Sequence, residues 1–120
     1  MPAIALVTDL IFSTKITGTA KALSTPLVVA RSLDTLKSRL DESPPSPLVI
    51  IDLNAANLDP IAAIHLAKSH PTAPRIVAYL SHVQTDLAAA AKSAGADQVL
   101  PRSAFVTQLP TLLQQIAPPN

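Results

Sequence analysis

Asp9, Asp52, Ser81 and Arg102 are the residues of this sequence best placed for chemistry, because each closes or follows a short aliphatic run. Two carboxylates and a backbone carbonyl can hold a hard cation such as Mg²⁺, which keeps several of its waters. A carboxylate beside such an ion can attack phosphorus and carry the group as an acyl phosphate. A hydroxyl and a cation nearby would then hold the equatorial oxygens as charge develops on them. Taken one at a time, these residues read more simply, since acids and hydroxyls at strand ends cap helices. Their order and spacing together carry the chemical reading.

Five runs must position them: Ala3–Thr8, Pro26–Arg31, Pro47–Asp52, Arg75–Ser81 and Asp97–Pro101. They are mostly continuous apolar runs without strict alternation, as strands covered on both faces are. Helical stretches separate them, which implies right-handed crossovers and a parallel sheet. Ser32 caps the second helix, whose buried stripe is Leu33, Leu36 and Leu40. Asp59-Pro60 caps and opens the third, and the alanine-rich fourth stops at Gly95. The first helix is expected over Phe12–Leu23. The fifth is expected to begin near Thr107, so that Pro110 falls in the first turn where its missing donor is not needed.

The pattern predicts an α/β fold, a doubly wound five-stranded parallel sheet of (βα)5 flavodoxin-like form with strand order 2-1-3-4-5. Ligands of such sheets sit outside the carboxyl ends of the strands, at the switch between strands one and three. That rule selects Thr8 and Asp9, Asp52 to Asn54, Ser81 and His82, and Arg102. The whole chain, 1–120, is expected to form one domain, and a chain this long buries about two-thirds of its extended surface without staples.

Composition narrows the function. There is no cysteine, which removes disulfides, thiol catalysis and cysteine zinc sites. The net charge is +1 and only three residues are aromatic, too little for nucleic-acid binding. Gly18 and Gly95 are the only glycines, so there is no glycine-rich phosphate cradle, and no nucleophile elbow is present. The N-terminal apolar run lacks a basic leader and is broken by Asp9, so it reads as a strand rather than a membrane span or signal. A cytoplasmic protein is the expectation. His65 and His70 are five apart, on different helix faces, and do not make a zinc pair. At 14% charged residues the surface is short of charge, which points to a partner or self-association face.

With these residues in hand, the chain resembles the receiver domains of two-component response regulators over nearly its whole length. The stretch PLVIIDLNAANLDPIAAI is similar to the receiver's third strand and acceptor loop, IVAYLSH to its fourth strand, and GADQVLPRSAF to the lead through its fifth. The resemblance implies that Asp52 is the phospho-acceptor, with Ser81 and Arg102 contacting the phosphoryl group. It implies a metal held by Asp9, Asp52 and the main chain of Asn54, and hence Mg²⁺ as cofactor. It also implies a signalling role rather than an enzyme's, with a histidine kinase or another signalling protein as partner and a possible homodimer through the fourth and fifth helices.

The departures from the family are specific. Thr8-Asp9-Leu10 supplies one acid where receivers usually carry two, which weakens the hold on Mg²⁺. Arg102 stands at the lysine position with a wide planar fork in place of a compact ammonium. Ser103 takes the place of the family's proline, and Val99 that of a common aromatic. These changes keep open an alternative, a phosphorylation-independent pseudo-receiver adaptor that acts only by protein contact.

Overall fold

Residues 2–42, 45–81 and 84–116 are described by the computed structural model. Runs of β-branched and aliphatic residues form five parallel strands: β1 Ala3–Leu6, β2 Leu27–Ala30, β3 Leu48–Asp52, β4 Arg75–Leu80 and β5 Gln98–Pro101. The sheet order is β2-β1-β3-β4-β5, as the sequence pattern predicts. The three central strands are buried almost throughout, which explains why they read as unbroken apolar runs.

Alternate strand residues serve opposite faces of the sheet. Ile4, Leu6, Val49, Ile51, Ile76 and Ala78 pack beneath α2 Leu33–Leu40, α3 Pro60–Lys68 and α4 Thr85–Ala94. On the other face Ala3, Ala5, Ile50, Val77 and Tyr79 meet α1 Leu10–Ala22 and α5 Arg102–Ile116. Asp52 follows Leu48 and Ile50 at even spacing in β3, so it belongs to the α1 and α5 face.

The helix starts follow the capping rules. Ser32 Oγ accepts the N–H of Thr35 at 3.1 Å, and Asp59 Oδ1 accepts those of Ile61 and Ala62 at 3.0 and 3.1 Å. Gly95 closes α4 at φ 123°, where a Cβ would stand 2.8 Å from Lys68 Cγ.

Two helices differ from expectation. α1 begins at Leu10, because Asp9 caps it. α5 begins at Arg102 rather than near Thr107, and Pro110 lies inside it. The physical reason is the stripe Phe105, Leu109, Leu112 and Leu113, all buried at helical spacing. An interior proline costs about 3 kcal/mol. Burying Phe105 alone returns roughly 1.5–3 kcal/mol, and the leucines add to it. The stripe therefore wins.

Candidate functional site

β1, β3, β4 and β5 all end at the same edge of the sheet, which carries Asp52 as the last residue of β3, Asp9 and Ser81 just beyond β1 and β4, and Arg102 at the start of α5. Each is also held by local structure, and those bonds decide what is left for a ligand.

Asp9 is the N-cap of α1. Its Oδ1 accepts the N–H groups of Ile11 at 2.9 Å and Phe12 at 3.2 Å. Its Oδ2 lies 3.8 Å from Arg102 Nη2, an electrostatic contact rather than a closed hydrogen bond. Asp52 is buried, at 3% exposure, and its Oδ1 accepts the N–H of Asn54 at 2.8 Å. Burial pushes its carboxyl above the usual carboxylate range, with the charge of Asp9 acting in the same direction. The Asn54 N–H and the Arg102 guanidinium oppose that shift.

Asn54 acts through its side chain as well. Ser81 N–H and Ser81 Oγ both donate to Asn54 Oδ1, at 2.7 and 3.0 Å. Asn54 Nδ2 donates to Gln84 Oε1 at 2.7 Å. Gln84 precedes α4 without capping it, its side chain being engaged by Asn54 instead. Thr8, which stands where a second acid was absent, accepts the Ala56 N–H on its Oγ1 at 3.0 Å. The loop after β3 is thus pinned to both neighbouring strand ends.

Arg102 opens α5, and its guanidinium carbon sits 4.2 Å above the Phe12 ring centre and 6.0 Å from that of Tyr79. Cation–π attraction at that distance holds the flat group against the ring. Phe12, Tyr79 and Phe105, the three aromatic residues of the chain, form one cluster beneath it. Tyr79 stacks on Phe105 at 4.4 Å and pairs in register with Asp52 across β3 and β4. Its hydroxyl is buried and finds no hydrogen-bond partner among the described residues, and the same holds for Arg102 Nε. Burial and the charge of Asp52 push the Tyr79 phenol far above its ordinary value, so it stays protonated.

Sequence reasoning missed Phe12, Tyr79 and Gln84. Phe12 lies three residues beyond Asp9 on the same helix, and Tyr79 shares the β4 parity of Val77. Strand parity and helical spacing held both signals. His82 lies outside the described residues. His65 is exposed on α3, and His70 bonds Asp41 and Thr72.

The donors expected to hold a divalent ion are partly engaged within the chain. Among the described residues no three His, Cys, Asp or Glu side chains converge. Asp9 spends one oxygen on its cap and turns the other toward Arg102. Two carboxylates less one guanidinium leave a net charge of −1 to hold a dication.

No protein-family model matches the sequence, and no curated protein matches it. Solved structures do match. The Mn²⁺-bound form of response regulator Rcp1 aligns with a TM-score of 0.77 at 16% identity, covering 100% of both chains. The receiver domain of NtrX from Brucella abortus aligns at 0.81 and 15% identity, over 94% of this chain and 95% of that one. The beryllofluoride-activated NtrC4 receiver domain dimer aligns at 0.76 and 15% identity, over 98% and 100%. In fold, this chain is built as the response-regulator receiver domains are.

Proposed function

We propose that the chain is a receiver-type module of two-component signalling that works by protein contact, with Asp52 as the phosphoryl acceptor. The observation that carries this reading is the place of Asp52, a carboxylate at the end of the central strand with Arg102 and Asp9 acting on it. In the reaction a carboxylate oxygen of Asp52 forms the bond to phosphorus as the donor's bond to phosphorus breaks. The leaving group departs with the electron pair and takes up a proton. Arg102 and Ser81 contact the phosphoryl oxygens, and Ser81 reaches them by giving up its bond to Asn54.

The test is labelling with a small phosphodonor, with and without Mg²⁺, followed by Asp52→Asn. The expected product is an acyl phosphate that survives acid, is lost in base and is absent from the variant. A label that persists in Asp52→Asn, or none under any condition, overturns the acceptor role.

One feature favours the adaptor reading: Asp9 and Arg102 already engage each other, so the edge holds a charge-paired arrangement before any phosphate arrives. In that case the module docks a histidine kinase or another signalling protein through a fixed surface. Self-association through α4, β5 and α5 fits either reading.

A further inference from the structure

The acid edge is short of carboxylate and well supplied with donors. Asp9 has a single oxygen to offer, and that oxygen faces Arg102. The guanidinium is partly exposed yet seated on Phe12, and its Nε is buried without an acceptor. The Tyr79 hydroxyl, fully buried on the neighbouring strand, is a second donor that closes no hydrogen bond among the described residues, while it lies near enough to Asp52 to favour that carboxylate's charged form. A buried donor with no acceptor is costly, and an added cation would raise that cost whereas an added anion would relieve it.

We propose that Arg102, seated on Phe12 and drawn to Asp9, is the resident cation of this site and takes the place of a divalent metal. The proposal rests on reading this edge as the functional one. Phe12 then becomes a positioning residue, because the flat ring fixes where the planar charge lies. Arginine at this position has a physical reason that lysine would lack: an ammonium cannot stack on Phe12 and extend toward Asp9 in the same way. The charge that an oxyanion meets beside Asp52 is supplied by the chain itself and is present at any metal concentration.

The test is a Mn²⁺ titration of the unmodified chain, read as paramagnetic broadening of the Phe12 and Asn54 amide signals. Weak broadening that does not saturate at millimolar Mn²⁺ is expected. Arg102→Gln frees Asp9 from the cation and should bind Mn²⁺ about tenfold more tightly. Phe12→Leu keeps the charge but removes its seat, and should shift affinity the same way by less. Arg102→Lys, the mildest change at that position, serves if the glutamine variant does not fold, and should also tighten binding. Saturation of the unmodified chain at micromolar Mn²⁺, or variants that bind no tighter than it does, would overturn the proposal. No phosphodonor enters this titration, so a failure of labelling removes the acceptor role and leaves the metal question to be decided separately.

Discussion

Tyr79 carries the only hydroxyl buried within the aromatic cluster, and it forms no hydrogen bond among the described residues. Replacing it with phenylalanine keeps the stack on Phe105 and removes a desolvated polar atom. Tyr79→Phe should therefore raise stability by about 1 kcal/mol in urea unfolding. A loss of stability would mean that the hydroxyl holds a partner in solution. Asp52 gives a second prediction at this scale. Its carboxyl titrates higher in the folded chain than in the unfolded one, chiefly through burial. The folded state therefore binds the proton more tightly, and stability falls as pH rises from the unfolded pKa through the folded one. Asp52→Asn removes that loss while its side-chain oxygen still accepts the Asn54 N–H. The variant should melt higher than the unmodified chain at neutral pH, and the gap should close as pH falls to the unfolded carboxyl value. A gap that is constant across pH would show that burial of charge is not the cause.

At the scale of elements, Asp9 has two separable duties, capping α1 and facing Arg102. Asp9→Asn keeps the cap, because asparagine ranks with aspartate there, and discards the charge. Asp9→Ala discards both and should cost about 1 kcal/mol more than the asparagine variant. Equal stabilities in thermal unfolding would show that the cap contributes nothing. The elements also show how much the sequence disclosed. Strand runs, the Ser32, Asp59 and Gly95 signals and the strand order were legible, because each rests on local chemistry or a single topological rule. The start of α5 was not, because a local rule about Pro110 competed with a stripe that gains only on packing. The convergence of Asp9, Asp52, Ser81 and Arg102 on one edge followed from the strand order. What each side chain does there did not, since the Asn54 bridge and the Arg102 seat on Phe12 join residues tens of positions apart.

For the whole molecule, the low charge content has to show on some surface. Among the described residues the large exposed apolar side chains are Leu10 and Ile11 at the start of α1, whereas Val99, Leu100 and Val106 are half-covered by their own core. β5 is an edge strand, and α4 beside it offers the exposed Ala89 and Ala90. Self-association through this face should appear in sedimentation as mass rising with concentration, and Ala89→Glu with Ala90→Glu should abolish it. Ile11→Glu should leave it unchanged. A single monomer mass at every concentration would remove this face as a homodimer contact.

The aromatic cluster has an optical consequence. The chain has no tryptophan, one tyrosine and two phenylalanines, and all three rings lie together beneath Arg102. Its near-ultraviolet signal therefore comes from one place, a phenol packed against two phenylalanines and paired in register with Asp52. Circular dichroism in that band is a label-free gauge of the acid edge, already built into the unmodified protein, and a change in the charge on Asp52 registers there without averaging over distant chromophores.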